Sequence, residues 1–286
     1  MNQINTPKSY LAVAIASLFA SSITQAAIDE IVVTANKREQ TLQDIPMSVS
    51  VTSGEQIAQS SIVDLIDLQS AVPALRVNQL QSSAQTNFII RGYGNGANNP
   101  GIEPAVSVYI DGVPRTRSAS SLADLPTVQR VEVLSGPQST LFGKNASAGV
   151  ISVSTLLPEQ EMGGMIEATA GNYGSRIIKG TVTGGITDTV SFRLSASDNA
   201  SDGYATNITT GEDVNNRSRS AIRGQLLIEP NDDLTIRMIA DYNEIDEECC
   251  AASSLVYGDA SGVAAALAAA RGNATTPVDP WARNLT

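Results

Sequence analysis

Val190-Ser191-Phe192-Arg193-Leu194-Ser195-Ala196-Ser197 puts Val, Phe, Leu and Ala on one face of an extended chain and Ser, Arg, Ser and Ser on the other. The alternation has the two-residue period of a β-strand whose faces meet different surroundings. Leu234-Thr235-Ile236-Arg237-Met238-Ile239-Ala240-Asp241-Tyr242 repeats the split, with Ile239 as the one exception. Working outward from these two stretches, the spacing predicts five strands near 164–173, 176–186, 189–199, 217–229 and 233–244.

The links between those strands differ in length. Ile186-Thr187-Asp188-Thr189 and Glu229-Pro230-Asn231-Asp232-Asp233 are tight turns, whereas 200–216 and everything after Asn243 are long and polar. Short turns at one end, long loops at the other and alternating strands of about ten residues are the pattern of outer-membrane β-barrels. A soluble sandwich alternates as well. Export, small lumen-type residues and the loop asymmetry favour the barrel.

Export is read from residues 1–26. Lys8, an apolar stretch from Tyr10 to Ala20 and the small residues closing at Thr24-Gln25-Ala26 form a secretory signal, with the mature chain beginning at Ala27. No later apolar run approaches the ~20 residues a membrane helix needs, so any membrane crossing is made by strands.

Composition removes other chemistries. The formal net charge of −11 disfavours nucleic acid as a partner. The chain has no His, and its two Cys are neighbours, Cys249 and Cys250. His-dependent triads and zinc sites of the CxxC and HxxxH kind are therefore absent. Gly136 to Lys144 resembles a phosphate loop only superficially, since the glycine spacing is wrong and Asn145 stands where Ser or Thr would bind magnesium. Neither an enzyme nor a cofactor is indicated. The acidic run Glu244, Asp246, Glu247 and Glu248 beside the cysteines reads as an exposed loop, which a vicinal disulfide would stiffen.

Between signal and wall, 41–158 reads as a compact α+β domain. Ser53-Gly54-Glu55-Gln56 and Ser61-Ile62-Val63-Asp64 have capping-box spacing, predicting helices near 54–60 and 62–70. Strands follow at Phe88–Gly92, at Val106–Ile110 turning through Asp111-Gly112 into Val113, at Val128–Leu134 and at Gly149–Ser154. Ahead of it, Ile28 to Ala35 is a β-branched segment before a polar linker. It reads either as a free strand that joins another protein's sheet edge or as an ordinary first strand.

Four ordered motifs carry a family resemblance: Ile45-Pro46-Met47-Ser48-Val49, Ile90-Arg91-Gly92-Tyr93-Gly94, Val108-Tyr109-Ile110-Asp111-Gly112-Val113-Pro114, and Val131 through Gly143. Together they resemble the plug domain of the TonB-dependent receptors of Gram-negative outer membranes. That resemblance implies an α+β plug domain, 41–158, followed by antiparallel transmembrane β-barrel strands, 159–286, in an incomplete all-β barrel. It implies a TonB box and linker at 27–40, with Asp29, Glu30, Ile31, Val32, Val33, Thr34 and Ala35 as the segment TonB pairs with. The family's Arg before Gly-Pro-Gln is Ser135 here, leaving Arg91 as the expected latch from plug to wall.

Function then follows as expectation: active uptake of a scarce nutrient, with an iron chelate of the ferric siderophore type as small-molecule ligand. TonB and outer-membrane lipid are the expected partners, and plug and box face the periplasm. Ligand-facing loops are expected at Tyr93, Asn95, Asn98, Arg115 and Arg117, from their Gly/Asn/Ser loop character. A barrel of this class has about 22 strands, so the chain is expected to be an N-terminal fragment. The alternative is a non-transporting periplasmic or surface binding module with a plug-like domain.

Overall fold

The computed structural model describes residues 32–33, 40–80, 82, 85–95, 101–121, 124, 127–207, 210–251, 259–272 and 284–285. The expected signal at 1–26, box residues Asp29, Glu30, Ile31, Thr34 and Ala35, and Asn98 lie outside the described residues.

Two short strands come first, β1 (Val32–Val33) and β2 (Gln40–Thr41), followed by a five-stranded sheet at the centre of the plug. That sheet runs β3 (Val49–Ser53), β9 (Val128–Ser135), β10 (Gly149–Thr155), β7 (Val106–Ile110), β8 (Val113–Arg115). A smaller sheet of β4 (Leu75–Gln79), β5 (Thr86–Ile90) and β6 (Tyr93–Gly94) packs beside it. Strands β9 and β10 contribute apolar side chains to both faces of the sheet, each face being covered by a core. Val131, Val133, Ile151 and Val153 enter the main core with Leu65, Leu68 and Phe88, while Leu134 and Val150 enter a second core on the opposite face. At Gly149 a Cβ would come within 2.6 Å of both Leu134 O and Ile90 Cδ1, so only glycine lets the two sheets close.

Helix α1 (Gly54–Gln59) starts as its sequence predicts, with Gln56 N donating to Ser53 Oγ and Ser53 N to Gln56 Oε1, a complete capping box. The second expected helix, 62–70, does not form beyond a 3-10 turn at Asp67–Ser70. Ser61 takes φ 53, which breaks the entry geometry an N-cap needs. The side chains of Asp64 and Asp67 then accept the backbone N–H groups of Val63, Asp64, Ile66 and Asp67 themselves, competing with helix. The strand expected at 88–92 stops at Ile90, because Arg91 and Gly92 turn with φ 52 and 82. A short helix, α2 (Ser139–Phe142), occupies the loop before Gly143.

The wall is an all-antiparallel meander, β11 (Gly163–Ala170), β12 (Arg176–Thr187), β13 (Val190–Ser201), β16 (Arg217–Asn231) and β17 (Leu234–Ile245). All five expected strands are present within a few residues of their predicted ends. The long link between β13 and β16 carries β14 (Ala205–Asn207) and β15 (Asp213–Val214), with β18 (Asn284–Leu285) alongside β14. Helix α3 (Asp259–Ala270) follows the wall, and no described helix is long and apolar enough to cross a membrane. Cys249 and Cys250 are bridged.

The wall is inverted relative to a soluble sheet. Its polar face is the buried one, with Ser191, Arg193, Ser195, Asn199, Arg219, Arg223 and Gln225 packed inward. Its apolar face is bare: Ile166 is 85% exposed, Ile222 47% and Met238 56%. A sandwich would bury those side chains, whereas a membrane strand presents them to lipid. Leu194→Arg should therefore cost up to ~2–4 kcal/mol, the depth-dependent cost of a cation on a lipid-facing strand. Heat-modifiable migration after extraction into detergent reads this out, and unchanged migration of Leu194→Arg would contradict the lipid-facing assignment.

Candidate functional site

The polar face of the wall meets the plug along a charged seam, built where two local turns push plug carboxylates outward. Asp111 and Gly112 take φ 49 and 79, the pair of left-handed positions a two-residue hairpin demands. This turn presents the Asp111 carboxylate to Thr155, which donates its N at 2.9 Å and its Oγ1 at 2.8 Å. From the wall, Arg223 Nη2 also donates to Asp111, and Arg237 Nη1 lies 3.2 Å from it. Arg237 is held in turn by Gln225 Oε1 and Thr155 Oγ1.

A second knot forms at Asp64. One carboxylate oxygen caps the turn at Ile66 and Asp67, and the other receives Arg219 Nη1 at 2.6 Å. Arg219 grips Glu247 with its remaining nitrogens and lies 3.5 Å from Asp124. Three buried carboxylates thus surround Arg219, with the half-buried Arg217 lying 3.5 Å from Asp64. Burial pushes the Asp124 carboxyl above its ordinary value, while Asn199 and Arg219 draw it back, and among the described residues neither of its oxygens accepts a hydrogen bond. Lower down, Thr127 and Ser195 share a hydrogen bond at 3.1 Å, and Arg193 donates to Leu157 O and Glu159, tying the plug's exit segment to β13.

The expected site residues distribute differently from the expectation. Arg91 donates to Ser48 Oγ at 2.7 Å, and among the described residues it meets no carboxylate. Plug and wall are instead joined mainly by charges of the opposite polarity, carboxylates on the plug and arginines on the wall, with Arg115 and Asp241 the exception. Arg130 and Lys144, the other cations near Ser135, pair with Glu132 and Glu103 inside the plug. Tyr93 is 75% exposed. Asn95 donates to Glu103 O, and Arg117 accepts from Ser120 through its carbonyl. Arg115 reaches the wall, 3.2 Å from Asp241 on β17. Of the expected box, Val32–Val33 pairs antiparallel with Gln40–Thr41. Val33 is fully buried with Ile45, Tyr109, Leu134, Phe142 and Val150. Of the two readings of this segment, the structure has these two residues paired within the chain, with β2 as their partner.

A lumen-filling domain inside a wall that is polar within and apolar without defines the plugged outer-membrane barrels. The family model of the TonB-dependent Receptor Plug Domain matches residues 41–150. The pesticin receptor of Yersinia pestis is 29% identical over 205 residues, which cover 71% of this chain and 30% of that one. The vitamin B12 transporter BtuB of Vibrio vulnificus is 33% identical over 176 residues, 58% of this chain and 28% of that one. Among solved structures, the ferric yersiniabactin uptake receptor FyuA from Yersinia pestis superposes with a TM-score of 0.65 at 27% identity, covering 69% of this chain and 31% of that one. Over its plug and first wall strands the chain is similar to TonB-dependent outer-membrane receptors, and it spans about a third of the length of these relatives.

The raised Asp124 carboxyl has a definite sign in stability. A carboxyl whose folded pKa exceeds its unfolded value of 3.8 binds its proton more tightly when folded. It therefore adds stability as pH falls from neutral through the folded value, opposite to ordinary acid unfolding. Asp124→Asn mimics the protonated form. Thermal unfolding should show the variant at least as stable as the parent at pH 7, with a smaller gain on acidification; a lower melting temperature at pH 7 would contradict this.

Proposed function

We propose that this chain works in TonB-dependent active uptake of a scarce small molecule across the outer membrane of a Gram-negative bacterium, with its plug gating the lumen. The observation that carries this reading is the combination of a bare apolar outer face with an inner face whose arginines pair with plug carboxylates. A non-transporting binding module, the rival, would leave that apolar face in water. An iron chelate of the ferric siderophore type is the proposed cargo, in keeping with the ferric yersiniabactin uptake receptor and with the ferrioxamine B receptor of Salmonella typhimurium, which is 30% identical over 159 residues.

Plug and box face the periplasm in this proposal, and Asp29, Glu30, Ile31, Val32, Val33, Thr34 and Ala35 form the segment TonB captures by strand addition. Val32–Val33 then has to leave Gln40–Thr41, a ladder of two residue pairs. Tyr93, Asn95, Asn98, Arg115 and Arg117 are the proposed ligand-facing positions of the plug loops. Transport is a change of populations, in which ligand and TonB favour a plug loosened from the wall.

Val32→Pro removes a ladder N–H from the segment and should abolish coupling. In cells expressing the receptor from its own gene, iron-chelate uptake should fall to background while chelate binding at the cell surface persists. Normal uptake by the Val32→Pro strain would contradict the box assignment.

A further inference from the structure

Three arginines meet two carboxylates where the Asp111 hairpin touches the wall. Arg115 Nη2 lies 3.2 Å from Asp241, Arg223 donates to both Asp241 and Asp111, and Arg237 lies 3.2 Å from Asp111. The cluster carries one positive charge in excess. Its donors are also incompletely matched: the Nε–H groups of Arg115 and Arg223 are buried and find no acceptor among the described residues. Arg223 is 7% exposed, so water does not readily serve it. A buried guanidinium N–H without an acceptor is costly, and native structures leave few of them.

Asp241 is the weak member of the cluster. It is the most exposed, at 26%, and it divides itself between Arg115 and Arg223. Arg223 in addition lines a cavity of about 500 Å³ between α1 and the wall, whose other charged lining is Lys179, Glu55 and Glu167.

We propose that Arg115, Arg223 and Arg237 form an anion-binding site on the plug–wall seam, which takes a carboxylate-type group of a small molecule in competition with Asp241. Guanidinium forks match a planar carboxylate in two parallel hydrogen bonds, so an incoming carboxylate can satisfy the orphaned N–H groups while neutralising the excess charge. Occupation would draw Arg115 and Arg223 away from Asp241 and so alter a contact between plug and wall. The inference rests on the uptake reading only in supposing that the anion arrives as part of a cargo.

The test is a calorimetric titration of the detergent-purified receptor with citrate at low salt, without TonB, with glycerol as the uncharged control. The parent should bind citrate saturably and glycerol not at all. Arg115→Gln should weaken binding about tenfold or more, the loss of a charged hydrogen bond, and Asp241→Asn should tighten it by removing the internal competitor. Both variants keep Asp111 paired with Arg223 and Arg237, and unchanged trypsin digestion patterns confirm folding. Absence of saturable citrate binding, or equal affinity in parent, Arg115→Gln and Asp241→Asn, overturns the site. Chelate uptake is measured separately in cells, so uptake that persists without citrate binding removes the anion site and leaves the transport reading standing.

Discussion

Carboxylates carried into the lumen by the plug must meet cations on the wall, and most of the architecture follows from that requirement. The side chains of Asp64, Asp111 and Asp124 are almost wholly buried, and an unpaired charge in such a place costs several kcal/mol. Arg219, Arg223 and Arg237 answer them from two adjacent strands. Because side chains alternate strictly along a strand, a one-residue slip would send these arginines to the lipid face and the plug would lose its partners. The register of β16 against β17, the inward direction of the polar face and the seating of the plug are one constraint.

Under the uptake proposed above, the energetic character of such a seam suits a domain that is held and then moved. Buried ion pairs contribute little net stability over apolar packing of the same shape, yet losing one partner is expensive, roughly 3–5 kcal/mol. They fix where the plug sits more than how strongly it is held. The apolar cores stay within the plug, with Leu65, Phe88, Val131 and Ile151 in one and Leu134 and Val150 in the other, while the seam is mostly polar. Under the uptake proposed above, loosening the plug would hydrate charges rather than expose a hydrophobic core.

The wall was legible in the sequence because its period is local. The pattern around Val190–Ser197 and Leu234–Tyr242 depends on neighbours two residues apart and survives without knowledge of the rest of the fold. The Asp111-Gly112 hairpin and the Ser53–Gln56 capping box were legible for the same reason. The helix expected at 62–70 failed where side chains competed for the backbone, since Asp64 and Asp67 cap a turn instead. The seam itself was not legible. Inward parity marks Arg193, Arg219, Arg223 and Arg237 as lumenal, but their partners stand as many as 155 positions away, and nothing local distinguishes Asp64 from the solvated acids around it. Arg91 was singled out by a motif, whereas the plug cation that meets a wall carboxylate is Arg115 and the other plug–wall ion pairs run with the reverse polarity.

Seating of the plug against the wall is most directly tested at Thr127 and Ser195, whose hydroxyl oxygens lie 3.1 Å apart across the seam. With Cys249 and Cys250 already bridged to each other, the double variant Thr127→Cys with Ser195→Cys adds one new thiol pair. The account predicts that this pair oxidises in intact cells without added oxidant, and that mass spectrometry recovers the linked peptides from nearly all molecules. Free thiols at both positions in correctly inserted protein would contradict the seam and the plug position built on it.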